Sequence, residues 1–100
     1  MSLNTAQKQA TRREFARNLE LLGLTPRDIA DDLGTTPQRV EDIAALRHIH
    51  RLEDAWVLRR YLLERAEQAG VRLIPFTALA GNPEDYWFLD ADRITHMRLD

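Results

Sequence analysis

Residues 25–46 read TPRDIADDLGTTPQRVEDIAAL, and this stretch decides the fold. The pair Thr-Pro occurs twice in it, and Gly34 stands between the two copies. Threonine is a frequent N-cap and proline suits the first helical position, so each pair predicts the start of a helix. Glycine readily adopts the positive φ that ends a helix. The stretch therefore predicts two short helices, over 26–33 and 37–46, joined by a tight turn.

The apolar residues of this stretch have the spacing of a helix-turn-helix motif. Ala30 is small, as is needed where the first helix approaches the second closely. Thr35 departs from the motif, because this turn position is more often aliphatic. Four larger apolar side chains are placed to close a shared core with a preceding helix: Ile29, Leu33, Val40 and Ile43. The sequence predicts a helix-turn-helix, which is a statement about fold and not yet about DNA.

Helical periodicity continues on both sides of the motif. An apolar stripe predicts a helix over about residues 5–22, and a second broad stripe predicts a long helix over about 53–69. Residues 48–51 interrupt the pattern and are expected to form a loop. Residues 71–74 are short and β-like, and the pattern over 84–89 fits a helical turn or a strand equally. The expected fold class is therefore all-α or nearly so, with four main helices and little or no strand.

The bulk composition indicates one globular domain over residues 1–100, with a helix-turn-helix core at 5–70 and an aromatic segment at 71–100. The chain is 44% hydrophobic and 30% charged, and no apolar run approaches the ~18 residues of a membrane span. The N-terminus lacks the apolar core of a secretory signal, so the expected location is the cytoplasm. The chain has no cysteine, which excludes disulfides, a thiol nucleophile and cysteine metal sites.

The sequence resembles two known groups of proteins. The layout of residues 5–71 resembles the Cro and C1 repressor-like class, in which a helix precedes the motif and a leucine-rich helix follows it. The whole chain also resembles a family of small bacterial proteins catalogued as a domain of unknown function. The stretches that carry this resemblance are MSLN, LTPRDIADDLGTTPQRVEDI, EDAWVLRRYLLE and PFTALAGNPEDYWFLD. This resemblance supports the predicted fold. It implies no activity, because the family has none assigned.

A helix-turn-helix raises the hypothesis of DNA contact through the first turns of its second helix. A glutamine there suits an adenine edge and an arginine suits guanine or phosphate, while neighbouring arginines suit the DNA backbone. The charge of the motif opposes this hypothesis, because residues 25–46 carry two arginines against five carboxylates. The provisional DNA-contact residues are Arg27, Thr36, Gln38, Arg39, Arg47 and Arg51.

Other residue patterns give weaker indications. His48 and His50 could chelate a metal only with further ligands, and the one other histidine, His96, is distant in the sequence. We therefore expect both histidines to lie in a surface loop and predict no metal site. Trp56 is expected to be a core residue, and the aromatic run 86–88 to pack back over helices. We find no phosphate-binding loop, nucleophile elbow or metalloprotease motif, so we predict neither an enzyme nor a cofactor.

The leading functional expectation is a small transcriptional regulator that binds double-stranded DNA through residues 36–47 as a homodimer. The alternative is a protein-interaction module that keeps the helix-turn-helix scaffold without binding DNA, and the acidic second helix of the motif favours it. A third and more distant option is a ligand pocket near Trp56 and residues 86–88. No small-molecule substrate is evident, and no membrane partner is expected.

Overall fold

Four α-helices build the described part of the chain, which in this computed structural model covers residues 3–49, 51–81, 89, 93–94, 96–97 and 99. They are α1 (Thr5–Leu22), α2 (Pro26–Leu33), α3 (Pro37–Ala44) and α4 (Glu53–Ala69). Within these residues no strand forms, so the predicted all-α class is confirmed. None of these helices combines the length and the apolar character that crossing a bilayer requires.

The helix starts follow from local hydrogen bonds that the sequence encodes. The Asn4 side chain accepts from the backbone N–H of Gln7, whose own side chain accepts from the N–H of Asn4. Thr25 and Asp28 form the same reciprocal pair at α2, with bonds of 3.2 and 3.0 Å. The hydrogen bonds from the Thr25 backbone N–H and side chain lower the pKa of the Asp28 carboxyl. These caps satisfy amides that helix geometry leaves unpaired.

The core lies where α1 packs on α4 and α3 packs on both of them, with α2 packed against α3. Ile29, Val40 and Ile43 are buried between these helices, as their spacing predicted, and Leu33 is only partly buried. Phe15 of α1 is fully buried and meets the Phe76 ring edge-on, at 5.3 Å between centroids. The first half of α4 supplies the largest buried group: Ala55, Trp56, Val57, Leu58, Tyr61 and Leu62.

The third helix ends earlier than predicted, at Ala44 and not at 46. Leu46 takes a left-handed conformation with φ 56°, and its backbone N–H bonds to the Ile43 carbonyl. Leu46 is partly buried against the core, so packing opposes the cost of about 1–2 kcal/mol that this conformation carries for a residue with a Cβ. The Arg12 guanidinium of α1 then reaches the Ala45 carbonyl at 3.4 Å.

The segment that follows α4 is fixed by polar side chains of α1 and not by a strand. The Asn18 side chain accepts from the Ile74 N–H at 2.8 Å and donates to the Ile74 carbonyl at 3.1 Å. The Glu14 carboxylate accepts from the backbone N–H and the hydroxyl of Thr77, at 3.1 and 2.7 Å. The β-like pattern at 71–74 therefore marks an extended segment whose hydrogen-bond partner is a helix side chain.

Gly34 makes the turn between α2 and α3, with φ 69°. A Cβ at this position would meet no atom within 4 Å, so an alanine would be strained by its backbone conformation alone. We expect Gly34→Ala to lower the free energy of unfolding by about 1–2 kcal/mol, the cost of the left-handed conformation. Urea unfolding followed by circular dichroism measures it. Gly34→Asn is the control and is expected to lose less, because asparagine tolerates this conformation better; equal stability of Gly34→Ala and the parent protein would contradict the argument.

Candidate interaction surfaces

The start of α3 carries the residues for which DNA contact was predicted. Thr36 is the N-cap, and its hydroxyl accepts from the Arg39 backbone N–H at 3.2 Å. Gln38 is exposed, and its side-chain amide donates to the Asp42 carboxylate at 2.9 Å. Both side chains lie at the surface, so a ligand can reach them, although Gln38 is already paired within its own helix.

Arg39 is partly exposed, and its guanidinium is bonded to other parts of the fold. One guanidinium nitrogen, Nη2, lies 2.9 Å from Oδ2 of Asp54 and 2.9 Å from the Leu99 carbonyl oxygen. The Asp54 side chain is only 3% exposed, and its other oxygen, Oδ1, is buried without a hydrogen-bond partner among the described residues. A buried carboxylate needs a cationic partner, so Arg39 neutralises Asp54 in this structure. From the sequence we predicted that Arg39 contacts a DNA base or phosphate, and we did not predict its ion pair with Asp54.

The other three predicted arginines lie at the surface. Arg47 follows α3 and forms an ion pair with Asp42 at 3.4 Å, with its side chain 58% exposed. Arg27 on α2 and Arg51 before α4 are exposed, and neither has a hydrogen-bond or ion-pair partner in the described part of the chain. Of the four arginines predicted to contact DNA, these two are therefore the ones without a partner in the described residues.

The exposed sides of α2 and α3 are predominantly acidic. Asp31 and Glu41 are exposed and unpaired among the described residues, while the exposed Asp28 is engaged in its cap. Asp32 accepts a hydrogen bond from the Tyr61 hydroxyl and lies 3.9 Å from an Arg65 guanidinium nitrogen. Beside Gln38, the Asp42 carboxylate accepts from the Gln38 amide and pairs with Arg47, so the cation nearest the end of α3 is already partly neutralised.

A different surface, which we call the α4 groove, lies between the second half of α4 and the extended segment after it. It encloses about 500 Å³ and is open to solvent. Leu63, 39% exposed, is the one large hydrophobic side chain exposed among the described residues. The charged side chains at this surface are Arg59, Glu67 and Arg72. The apolar lining consists mainly of Leu63, Ala66, Val71, Leu73, Ile74 and Phe76.

Arg59 ties one end of the α4 groove to the core. Its guanidinium donates to the Gly81 carbonyl at 3.1 Å and lies 5.0 Å from the centroid of the Trp56 ring. Trp56 itself is 2% exposed, as predicted for a core residue, and the cation stacks on it. This arrangement fixes the position of residue 81 relative to α4.

A polar depression of about 550 Å³ surrounds Tyr61 on another side of α4. Asp32, Glu64, Arg65 and His96 line it. Burial of the Tyr61 ring, and then its hydrogen bond to Asp32, raise the pKa of the phenol above its ordinary value of 10.0. A protonated phenol that donates to a carboxylate is a structural link between α4 and α2.

This link predicts a loss of stability at alkaline pH. The folded state holds the Tyr61 proton more tightly than the unfolded state, so stability is full below about pH 10 and falls as the pH rises further. We expect the thermal midpoint to fall as the pH rises above about 10, and to fall less in Tyr61→Phe. Identical pH profiles for the two proteins would contradict the role of Tyr61.

The histidine and aromatic patterns are only partly covered by the structure. His48 is exposed in the loop after α3 with φ 54°, and His50 lies outside the described residues. Among the residues that are described, no three histidine or carboxylate side chains come together as a metal site would need. The aromatic run 86–88, and most of the 84–89 pattern that was left between helix and strand, lie outside the described residues.

The polar residues that organise the fold were not among those singled out from the sequence. Asp54 lies in the first turn of α4, where a carboxylate also suits the helix N-terminus, so its position alone does not indicate an ion pair. Glu14 and Asn18 lie on the buried face of α1, between the apolar positions of its stripe. A polar residue that interrupts an apolar stripe at helical spacing is the available signal, since such a residue is buried and needs a partner.

Comparison with known proteins adds the family and no function. No curated protein and no solved structure matches the chain significantly. The sequence model of the family DUF2316, described as an uncharacterized protein conserved in bacteria, matches residues 1–90. This match covers both the helical core and the extended segment after α4. The chain therefore belongs to the bacterial family DUF2316.

Proposed function

We propose that this protein is a protein-interaction module on a helix-turn-helix scaffold and that it does not bind DNA. The observation that carries the proposal is the environment of Arg39. It is the single arginine of α3, and it is engaged by Asp54 and by the Leu99 carbonyl. If α3 has no cation available to DNA, it lacks the phosphate contacts that provide much of the affinity for DNA.

The carboxylates of α2 and α3 also argue against DNA binding. Glu41 is exposed on α3 and Asp31 on α2, where they would repel the phosphates of a duplex lying against this side. Asp42 already accepts from Gln38, the residue best suited to an adenine edge. By contrast, the α4 groove presents the apolar, open surface that is typical of protein contacts.

DNA binding is the second candidate, and one observation favours it. Arg27 and Arg51 are exposed and have no partner within the described residues, and Thr36 and Gln38 are exposed at the start of α3. A homodimer that aligned two such surfaces on a two-fold site would provide more phosphate contacts than one copy. This candidate requires α3 to read bases without Arg39.

Selection of genomic DNA fragments on the purified protein decides between the two candidates. It is run at about 50 mM and about 200 mM salt, because phosphate contacts weaken steeply over this range. The matched variant is Arg27→Ala with Gln38→Ala, since these two exposed side chains contribute little to the fold. Arg39→Ala is unsuitable, because it removes the partner of a buried carboxylate. We expect no shared motif at either salt concentration. A motif that the parent protein enriches and the variant loses would overturn the proposal.

A further inference from the structure

We propose that the α4 groove binds an extended peptide segment of another protein, which adds as a strand alongside residues 71–75. This inference rests on the proposed function, for which it names the surface and the chemistry of the partner. Three features carry it: an extended backbone with one largely unpaired edge, an apolar groove beside it, and an exposed cation next to that edge.

The extended conformation follows from the contacts of Asn18. One side-chain amide pairs with both the N–H and the carbonyl of Ile74. In a helix these two groups point in opposite directions along the axis, so a single amide reaches both only when the residue is extended. Pro75 favours the same conformation, because it disfavours helical geometry at the residue before it.

Most of the edge opposite Asn18 lacks a hydrogen-bond partner in the described residues, the exception being the Val71 N–H, which donates to the Ala66 carbonyl at 2.9 Å. In an extended chain the backbone groups of successive residues point to alternate sides, so those of Leu73 point away from Asn18. The N–H and carbonyl of Leu73 make no hydrogen bond, and the carbonyls of Val71 and Pro75 on the same edge are also free in the described structure. One donor and three acceptors are therefore available to a second chain, which is the template for strand addition.

The side chains beside this edge specify the peptide. The apolar lining of the α4 groove, with the exposed Leu63, suits apolar side chains at every second position of an added strand. Arg72 is exposed and has no ion-pair or hydrogen-bond partner in the described chain. A carboxylate in the peptide would pair with it. The partner is thus an extended segment with alternating apolar residues and an acidic residue.

The test starts from a displayed library of random 12-residue peptides selected against the whole protein. Leu73→Pro removes the free N–H, which the fold does not use, while Leu73→Ala shortens the same side chain and keeps the N–H. For a selected peptide, we expect Leu73→Pro to bind about tenfold more weakly than Leu73→Ala, as the loss of one backbone donor implies. Arg72→Glu is expected to weaken the binding of peptides that contain the acidic residue. Amide hydrogen exchange at residue 73 should slow when the peptide is bound.

Two results would overturn the strand site. One is the absence of any selected peptide. The other is a set of peptides that bind Leu73→Pro and Leu73→Ala equally, or that share apolar residues at helical spacing. Peptides that bind elsewhere would leave the protein-interaction function standing and remove only this site. A DNA motif recovered in the genomic selection would remove the proposed function independently of the peptide result.

Discussion

Replacing Arg39 with alanine is expected to lower the free energy of unfolding by about 2–4 kcal/mol, because it leaves the buried Asp54 carboxylate without its cation. The Asp54 side chain is 3% exposed, whereas the Arg39 side chain is 39% exposed. In the variant, water can therefore reach Asp54. For this reason we expect a smaller loss in the free energy of unfolding than for an ion pair that is fully buried. Urea unfolding monitored by far-ultraviolet circular dichroism measures the change.

Two further variants make this result interpretable. Arg47→Ala removes a largely exposed ion pair with Asp42, and we expect it to change stability by less than about 1 kcal/mol. The double substitution Arg39→Met with Asp54→Leu replaces the pair by apolar groups and should recover most of the loss. If Arg39→Ala were no more destabilising than Arg47→Ala, Arg39 would be free for an external ligand and the case against DNA would weaken.

Asn18→Leu is expected to lower the free energy of unfolding by about 2–4 kcal/mol. The substitution keeps the size of the side chain but removes the partners of two backbone groups of Ile74, and a buried backbone group left unpaired costs about 1–3 kcal/mol. Because Ile74 is only partly buried, the combined loss lies in the lower part of the summed range. Asn18 is fully buried. Besides the change in urea unfolding, amide hydrogen exchange at residue 74 should accelerate.

The matched control for this substitution is an exposed amide. Gln38→Ala removes a single hydrogen bond at the surface of α3 and should change stability by about 0.5 kcal/mol or less. A loss in Asn18→Leu that is no larger than the loss in Gln38→Ala would mean that the segment after α4 is held by its apolar contacts alone.

The sequence predicts those parts of the fold that depend on neighbouring residues. Thr25 and Thr36 accept from the amides three residues on, and Gly23 and Gly34 take left-handed conformations after α1 and α2. Each of these features is decided within four residues, so a pattern is enough to place it. The end of α3 was misplaced because packing of Leu46, a tertiary contact, determines where that helix stops.

The candidate surfaces depend on contacts between distant residues, which one sequence does not reveal. Arg39 and Asp54 are 15 positions apart and meet because α3 packs on the start of α4. The residue type suits DNA and an internal ion pair equally, so only the packing distinguishes the two roles. Likewise, Asn18 lies far earlier in the chain and holds Ile74 in an extended conformation through its two hydrogen bonds. In that conformation the backbone groups of Leu73 point to the opposite edge.

The bonds from α1 to the segment after α4 also bear on how the protein is made. Asn18 and its partner Ile74 are 56 positions apart, so at ~5–20 residues per second ribosomes synthesise them roughly 3–11 seconds apart. Until the later segment emerges, a nascent chain carries on its first helix an amide and a carboxylate, Asn18 and Glu14, whose native partners do not yet exist. Burying either of them unpaired is unfavourable, so we expect stable packing of the first three helices to follow synthesis of the segment around residue 77.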